Sequence, residues 1–264
     1  MRNLHLINNN QSSIPLLAAS GLCKNFGCIK AVNNAEIRVQ PGSITGLIGP
    51  NGAGKTTMFN LLSNFIRPDK GQVIFDGKPI QQLKSYTIAQ RGLVRTFQVA
   101  RALSRLSVLD NMLLAAQKHI GENFWTVQLQ SHLVLKEEKK LQEKAIFLLE
   151  SVGLAHKAND YAGGLSGGQR KLLEIGRALM ANPQLILLDE PTAGVNPSLI
   201  REICNCIVAW NRNGMTFLII EHNMEVIMSL CDQVWVLAGG HNLAIGSPEE
   251  IQTNSQVLEA YLGK

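Results

Sequence analysis

The sequence predicts an α/β fold with a parallel central sheet, because strand-length and helix-length segments alternate along its second half. The strand segments are nearly continuous apolar runs, as in strands that are covered on both faces. The predicted strands are Leu185–Leu188, Thr216–Ile220 and Gln233–Ala238. Helices are predicted from Ser166 to about Met180, over Pro197–Trp210 and over Met224–Leu230.

The first part of the chain predicts strands that form an antiparallel sheet edge and lead into a core strand. Polar turns separate short apolar runs, and Pro41-Gly42 is a turn signal between two of them. Asp76-Gly77 is a second turn signal, typical of a hairpin. The runs are Leu16–Ala19, Ala35–Val39 and Ile44–Ile48, followed by a predicted helix over Thr56–Phe65 and a hairpin strand containing Val73 and Phe75.

The pattern becomes helical from about Ile88 to Gly153. The charged run Lys136–Lys140 is interpreted as a solvated helix start. Apolar residues then recur on one helix face, at Leu141, Ala145, Leu148, Leu149 and Val152. We therefore predict a single domain over residues 14–264, preceded by a polar, flexible start over residues 1–13. Its core spans about 14–94 and 166–246, and a helical subdomain of about 95–165 is inserted between these parts.

The composition is typical of a folded globular protein and excludes disorder as its main state. Hydrophobic residues make up 45% of the 264 residues and charged residues 17%. The net charge of +5 is mildly basic, which permits contact with phosphates or an anionic membrane surface without requiring it. No basic block carries interleaved aromatic residues, so nucleic-acid binding is not expected.

The sequence also bears on the membrane and on redox chemistry. No segment approaches the roughly 18 to 20 unbroken apolar residues of a membrane span, and residues 1–13 lack the apolar centre of a signal peptide. We therefore expect a soluble chain, or one that reaches a membrane through a partner. The five cysteines lack the spacing of a zinc site and are expected to be reduced, buried thiols; they are Cys23, Cys28, Cys204, Cys206 and Cys231.

A glycine-rich segment over Gly49–Thr56 fits the phosphate-binding motif G-x-x-x-x-G-K-[ST]. It follows an apolar strand and opens a helix, which is the context that the motif requires. Its glycines allow a tight turn whose backbone N–H groups, together with the helix N-terminus, can surround phosphate oxygens. Lys55 can reach the β- and γ-phosphates of a nucleotide, and Thr56 can bind Mg²⁺.

Two carboxylates directly follow the apolar strand Leu185–Leu188. Ligands of open α/β sheets bind at the carboxyl ends of strands, so Asp189 and Glu190 are expected beside the phosphate loop. Asp189 is suited to hold Mg²⁺ through its water shell, and Glu190 to orient an attacking water or accept its proton. A strand followed by Asp-Glu alone is also compatible with a capped turn, and the phosphate loop favours the catalytic interpretation.

A third motif, Leu165-Ser166-Gly167-Gly168-Gln169, lies between the phosphate loop and the acidic pair along the chain. Together the three motifs resemble those of ATP-binding cassette (ABC) ATPases, and the resemblance extends from about Leu16 to Leu262. It implies a P-loop NTPase core of the ABC ATPase type, with an inserted helical subdomain, an antiparallel β edge and a C-terminal helix over about 247–262. It also implies ATP hydrolysis coupled to transmembrane transport, with ATP and Mg²⁺ bound.

The resemblance assigns roles to further residues. Phe26 resembles the aromatic residue that stacks on adenine, Gln98 the glutamine that senses Mg²⁺ and water, and His222 the switch histidine after a core strand. The expected catalytic residues are Lys55, Gln98, Glu190 and His222, and the expected metal ligands are Thr56, Gln98 and Asp189. The expected nucleotide-binding residues are Phe26, Gly49, Asn51, Gly52, Ala53, Gly54, Lys55, Thr56, Thr57, Ser166, Gly167, Gly168 and Gln169.

The family that the chain resembles pairs two ATPase domains head to tail. ATP on the phosphate loop of one copy would then be covered by Ser166–Gln169 of the other, whose helix N-terminus suits phosphate charge. This chain has one phosphate loop and one such segment, so two chains are needed to build complete sites. The second chain is either another copy or a related ATPase, and the resemblance favours a related one in the complete transporter.

Several segments resemble the ATPases of branched-chain and other hydrophobic amino-acid uptake systems. Asn196 replaces the aspartate common across ABC proteins, and it occurs in this subgroup. Ser166-Gly167-Gly168 has the general ABC form, whereas many members of the subgroup carry variants there. The alternatives are a related urea or lipopolysaccharide transporter and a soluble ABC ATPase outside transport. The segments are Arg95–Arg101, Val108–Met112, Ala193–Pro197, Ile220–Met224 and Glu259–Gly263.

The resemblance further implies partners and a location. The chain would be the energy-coupling subunit of an importer, peripheral at the cytoplasmic face of the inner (plasma) membrane. It would bind membrane-spanning permease subunits directly and serve a periplasmic or extracellular solute-binding protein indirectly. The helical subdomain, over about 95–160, would provide the groove for the permease, and Val99–Leu114 would be its wall.

Overall fold

The computed structural model describes residues 14–96, 102–117 and 131–262, in which two β-sheets pack against each other. The smaller sheet has four antiparallel strands in the order β2-β1-β4-β5. Leu17, at the start of β1, lies between Val39 of β2 and Phe75 of β4, and all three side chains are buried. This sheet is the predicted antiparallel edge. Its strands are β1 (Leu17–Phe26), β2 (Ile29–Val39), β4 (Lys70–Phe75) and β5 (Lys78–Pro79).

The larger sheet has six strands in the order β10-β9-β3-β8-β7-β6, and all neighbours are parallel except β9 and β10. Strand β3, which enters the phosphate loop, pairs with β8 on one side and β9 on the other. The predicted parallel α/β sheet is therefore confirmed. Its strands are β3 (Ile44–Ile48), β6 (Leu93–Arg95), β7 (Leu185–Asp189), β8 (Thr216–Ile220), β9 (Gln233–Ala238) and β10 (His241–Gly246).

The helices of the described residues follow the predicted alternation closely. Helix α5 begins at the third sequence motif, and α6 and α7 connect the strands β7, β8 and β9. The helices are α1 (Lys55–Leu62), α2 (Ser85–Gln90), α3 (Val108–Leu113), α4 (Ser131–Ser151), α5 (Gly167–Met180), α6 (Pro197–Arg212), α7 (Met224–Leu230), α8 (Pro248–Thr253) and α9 (Ser255–Leu262).

Strand β7 explains why the central strands read as continuous apolar runs. Its alternate residues Leu185 and Leu187 belong to the apolar core between the two sheets. Ile186 and Leu188 belong to a second core, formed with the helices on the opposite face. Successive strand residues point to opposite faces, and both faces are covered here, which explains why all positions from Leu185 to Leu188 are apolar.

The predicted helical face of residues 141–152 packs into that second core. Ala145 and Leu149 of α4 are fully buried, together with Val108 and Met112 of α3. The charged run Lys136–Lys140 is largely exposed, as predicted. It lies inside α4 and not at a helix start, because the helix already begins at Ser131.

Two local expectations differ from the structure, and one strand has no sequence prediction. The segment from about Ile88 was predicted to be helical, but α2 ends before Gly92 and the chain enters the sheet as β6. Gly92 has a φ of +100°, a left-handed conformation that ends a helix and favours glycine. The predicted single C-terminal helix is divided at Asn254, whose backbone is extended and whose Oδ1 accepts from the N–H of Gln256. Strand β10 lacks a sequence prediction; it follows a turn with two glycines of positive φ.

The cysteines agree only partly with the expectation of buried thiols. All five are free, but Cys231 alone among them is buried and Cys28 is exposed. Within residues 14–96, 102–117 and 131–262, no cluster of three or more His, Cys, Asp or Glu side chains could hold a metal ion. In the same part of the chain, no helix is long and apolar enough to span a membrane.

Candidate nucleotide-binding and hydrolysis site

The phosphate loop lies at the carboxyl end of β3 and packs closely against neighbouring backbone. Gly49 has a φ of +150°, and a Cβ there would overlap the carbonyl oxygen of Leu237 in β9. Gly54 has a φ of +99°, and its Cβ would overlap the carbonyl oxygen of Ala31 in β2. These two positions require glycine both for their conformation and for the close approach. The loop is thereby held in the tight turn that the motif predicts.

Lys55 lies inside this loop and is only 6% exposed. Its Nζ donates hydrogen bonds to the carbonyl oxygens of Gly49, at 2.7 Å, and Pro50, at 3.0 Å. Burial lowers the pKa of Lys55, and the charge of Glu190 partly opposes that shift. The ammonium group is thus partly desolvated and can exchange these carbonyls for phosphate oxygens. Thr56 follows in the first turn of α1 and is exposed, and the N-terminus of this helix has no side-chain cap.

The predicted catalytic side chains Glu190 and His222 meet at the carboxyl ends of β7 and β8. His222 Nε2 lies 2.6 Å from Glu190 Oε1, and the two side chains are 42% and 16% exposed. Glu190 has a φ of +49°, uncommon for a residue other than glycine. Strained backbone of this kind is frequent at functional sites. The structure therefore brings together two residues that lie 32 positions apart in the sequence.

Asp189, the last residue of β7, is paired with an arginine. Its Oδ2 accepts a hydrogen bond of 2.9 Å from Nη2 of Arg95, at the end of the neighbouring strand β6. Arg95 also donates to Oδ1 of Asn60 in α1, at 2.6 Å. In the sequence, Arg95 is notable only as part of a segment that resembles the family. Its ion pair with Asp189 could not be predicted, because it depends on the order of strands in the folded sheet.

Two further charged residues contact residues of the site, and the sequence analysis did not identify them. Glu221 is 3% exposed, and its carboxylate accepts from the N–H and Oγ1 of Thr192 and from the N–H of His222. Lys171 of α5 donates from Nζ to the carbonyl oxygen of Glu190 at 2.6 Å. A usable signal existed for Glu221, because it directly follows an apolar strand. No such signal exists for Lys171, because its sequence context is that of an ordinary lysine in a helix.

The third sequence motif forms the N-terminus of α5. Ser166 caps the helix by accepting from the N–H of Gln169, and the Gln169 side chain accepts from the N–H of Ser166. Gly168 packs so closely on Leu199 of α6 that a Cβ there would overlap its Cδ2. Asn196 caps α6 in turn, by accepting from the N–H of Leu199. Ser166 and Gly167 are exposed and available to a ligand.

The remaining predicted residues are placed unevenly. Phe26 ends β1 and is 50% exposed, with Lys24 Nζ 5.9 Å from its ring centroid. An exposed ring at a strand end can present one face to a planar base. Asn51 and Gly52 are exposed at the tip of the phosphate loop, and Ala53 is buried behind them. Gln98 lies outside the described residues, as do residues 99–101 of the predicted groove wall.

Comparison with known proteins agrees with this arrangement of motifs. Residues 32–193, more than half of the chain, match the family described as ABC transporter. The chain belongs to the ABC transporter family. Its C-terminal residues 241–264 match a second family, described as branched-chain amino acid ATP-binding cassette transporter. This ABC ATPase thus binds ATP and hydrolyses it, with hydrolysis coupled to transport.

Two curated relatives of this ABC ATPase match nearly its whole length. One is the probable branched-chain amino acid transport ATP-binding protein LivG of Archaeoglobus fulgidus, 42% identical, with 94% of this chain and 95% of the relative covered. The other is the high-affinity branched-chain amino acid transport ATP-binding protein BraF of Pseudomonas aeruginosa, 40% identical, with 96% and 99% covered.

Solved structures agree with the fold. The ADP conformation of an ATP-binding cassette of an ABC transporter has a TM-score of 0.81 and 36% identity, and 96% of this chain and 100% of that chain are covered. A nucleotide-free cassette has a TM-score of 0.81 and 38% identity, with 95% and 100% covered. The predicted ABC ATPase fold is therefore confirmed.

The C-terminal family segment lies near the phosphate loop. The backbone of Gly49 in that loop is close enough to Tyr261 of α9 to affect the pKa of its hydroxyl. Partial burial raises the pKa of Tyr261, and the contact with Gly49 opposes that shift. For this tail, the sequence predicts only a C-terminal helix over about 247–262.

Proposed function

We propose that this ABC ATPase is the energy-coupling subunit of an importer for branched-chain or other neutral amino acids. The observation that carries the catalytic part is the 2.6 Å contact between Glu190 and His222 beside the phosphate loop. The substrate class is supported by the names of relatives that are 37 to 42% identical over at least 94% of the chain. The C-terminal family match supports it independently.

In the proposed reaction, Lys55 and the backbone N–H groups of the phosphate loop hold the β- and γ-phosphates of ATP. Glu190 orients a water whose oxygen attacks the γ-phosphorus, and its carboxylate accepts the water proton. The bond from the γ-phosphorus to the bridging oxygen breaks, and ADP leaves with that oxygen. His222 holds the Glu190 carboxylate in place and stabilises the charge that develops on the γ-phosphate.

The residues present fit a magnesium ion that would also take oxygen ligands from phosphate and water. The protein donors would be the Thr56 hydroxyl and the Asp189 carboxylate, an all-oxygen set without the several carboxylates of a protein cage. Asp189 is also bonded to Arg95, which suits contact through an ion's water shell better than direct coordination. When bound, the ion would neutralise phosphate charge. Gln98, the third proposed ligand, lies outside the described residues.

The functional unit that we propose contains two ATPase chains head to tail. Each composite site would combine Gly49–Thr57 and Phe26 of one chain with Ser166–Gln169 of the other. The second chain is another copy or a related ATPase. Membrane-spanning permease subunits would bind the helical subdomain, where Leu103 and Leu114 are exposed within the predicted wall. The assembly would lie at the cytoplasmic face of the inner membrane, with a solute-binding protein on the far side.

The catalytic proposal is tested with Glu190→Gln, which keeps the shape of the side chain and removes its basicity. We expect ATP binding to be retained and turnover to fall by roughly a hundredfold or more. Lys55→Ala should instead weaken nucleotide binding, because it removes the charge that faces the phosphates. Lys78→Ala, an exposed cation in β5, is the matched control and should bind ATP as the wild type does. Hydrolysis by Glu190→Gln at the wild-type rate would remove Glu190 from its proposed role.

The transport proposal is tested by purifying the tagged chain from gently solubilised native membranes and identifying the bound proteins by mass spectrometry. We expect membrane-spanning subunits and an ATPase chain of the same or a related sequence. The complex is then reconstituted in vesicles together with its solute-binding protein. These vesicles should accumulate radiolabelled leucine, isoleucine or valine when ATP is supplied. Recovery of the tagged chain from the soluble fraction alone would contradict its proposed role as an importer subunit, while ATP hydrolysis would still stand.

A further inference from the structure

We propose that Lys171 is a positioning residue that ties helix α5, and with it the Ser166–Gln169 motif, to the catalytic Glu190 of the same chain. This inference rests on the role proposed for Glu190 above. Lys171 contacts the main-chain carbonyl of that residue, so it would act on catalysis through the placement of Glu190.

The contact is short and partly shielded from water. Lys171 Nζ lies 2.6 Å from the carbonyl oxygen of Glu190. Burial lowers the pKa of Lys171, and the nearby charges of Glu221, Glu174, Glu190 and Asp189 oppose that shift. A charged donor makes a stronger hydrogen bond than a neutral one. The bond therefore fixes the Glu190 peptide more firmly than an ordinary turn contact would.

The Glu190 peptide is held from three directions. Its N–H donates to the carbonyl of Ile220 in β8 at 3.0 Å. Its carbonyl accepts from the N–H of Ala193 at 3.2 Å and from Lys171. The left-handed backbone at Glu190, with a φ of +49°, persists only where its surroundings determine it. Lys171 supplies the side-chain part of that support, and it comes from a separate helix.

The position of Lys171 on α5 gives this contact a functional consequence. It lies five residues after Ser166, about 7.5 Å along a rigid helix. In the proposed pair, Ser166–Gln169 engages the nucleotide on the partner's phosphate loop. A shift of α5 on that engagement would move the Lys171 ammonium and, with it, the peptide of Glu190. Binding of the motif to the nucleotide at one site would thus change the position of the catalytic carboxylate at the other site.

A lysine that merely anchors α5 would have a different effect, and the chain offers a matched control. Lys144 is also half-buried, and burial lowers the pKa of this group too. Its Nζ donates to the carbonyl oxygen of Met180 at 2.8 Å, at the opposite end of α5, and to Asn182 Oδ1 at 2.7 Å. Removing either ammonium takes one helix anchor away. Of these two lysines, the hydrogen bonds of Lys144 go to Met180 and Asn182, whereas that of Lys171 goes to Glu190.

The experiment compares Lys171→Met, Lys171→Arg, Lys144→Met and Glu190→Gln in the full chain, with kcat and KM for ATP and urea unfolding measured for each. We expect Lys171→Met to lower kcat by about tenfold or more with KM within about twofold of wild type. Lys171→Arg, which keeps a charged donor, should recover most of kcat. Lys144→Met should lose a similar amount of stability and keep its kcat.

The outcomes separate this inference from the proposed function. If Glu190→Gln hydrolyses ATP normally, the role of Glu190 itself fails. If Glu190→Gln is inactive and folded Lys171→Met keeps kcat within about twofold of wild type, the positioning role alone is overturned. It is also overturned if Lys144→Met loses as much kcat as Lys171→Met, because loosening of α5 at either end would then account for the loss.

Discussion

Arg95 and Asp189 form an ion pair of 2.9 Å where β6 and β7 end side by side, with side chains only 12% and 6% exposed. The guanidinium also donates to Asn60 Oδ1 in α1 and to Ser63 Oγ directly after that helix, and it lies 5.7 Å from the ring centroid of Phe59. One side chain therefore links the acidic strand end to the helix that follows the phosphate loop.

We expect Arg95→Met to destabilise the chain by about 3–5 kcal/mol, because it leaves the buried Asp189 carboxylate without its cation. The double variant Arg95→Met/Asp189→Asn should recover part of this loss, since the unpaired charge is removed. The free energies of unfolding are measured by urea titration and combined in a double-mutant cycle. A loss below about 1 kcal/mol in the single variant would show that the pair behaves as an exposed one.

The second prediction concerns the two glycines of the Ser166–Gln169 motif. Gly168→Ala should destabilise the chain by about 1–3 kcal/mol, because its Cβ would overlap Leu199 Cδ2. Gly167→Ala is the matched control, since nothing lies within 4 Å of a Cβ at that position. Thermal unfolding of both variants checks the difference. Adding Leu199→Ala should make Gly168→Ala less costly, and equal melting temperatures for the two single variants would contradict the packing explanation.

The central sheet and the phosphate loop could be predicted because their signals are local. Each core strand is a short apolar run between turn residues, and the loop motif fits within eight consecutive positions, Gly49–Thr56. The acidic pair Asp189-Glu190 followed from one rule, that ligands bind at the carboxyl ends of parallel strands. The same rule would have identified Glu221, which directly follows β8.

The rest of the site could not be predicted because its contacts are long-range. Arg95 meets Asp189 across 94 residues of sequence, and only the order of strands in the folded sheet makes them neighbours. Strand β6 has three residues, too short for a period-two pattern, and it was absorbed into a helical prediction. Lys171 contacts a backbone carbonyl, and no side-chain motif records such a partner.

The third prediction concerns the buried carboxylate of Glu221. Glu221→Gln should destabilise the chain by about 2–3 kcal/mol, because an amide NH₂ would face N–H or O–H donors of Thr192 or His222. Glu225→Gln, an exposed change one turn later, should cost less than about 1 kcal/mol. Urea unfolding gives both values. Equal effects would mean that the Glu221 network contributes no more than an exposed carboxylate does.

The fourth prediction concerns the reactivity of the free cysteines. Cys28 is exposed, whereas Cys231 is buried, and burial raises the pKa of Cys204 to about 11 and that of Cys231 to about 12. Since the thiolate is the reactive form, iodoacetamide at pH 8 should modify Cys28 first and Cys231 only after unfolding. Mass spectrometry of the alkylated peptides over time checks the order. Early modification of Cys231 in the folded chain would contradict its placement.

The same thiol makes stability depend on alkaline pH. The pKa of Cys231 is raised from 9.0 to about 12 by burial, so the folded chain keeps a proton that the unfolded chain loses. The stability that this proton confers is complete below about pH 9 and is lost as pH rises from there towards the folded pKa. The slope is at most about 1.4 kcal/mol per pH unit for one proton.

We expect the free energy of unfolding, measured in urea between pH 8 and 11, to decline more steeply for the wild type than for Cys231→Ala, whereas Cys28→Ala should follow the wild type. Parallel declines for all three chains would exclude Cys231 as the titrating group.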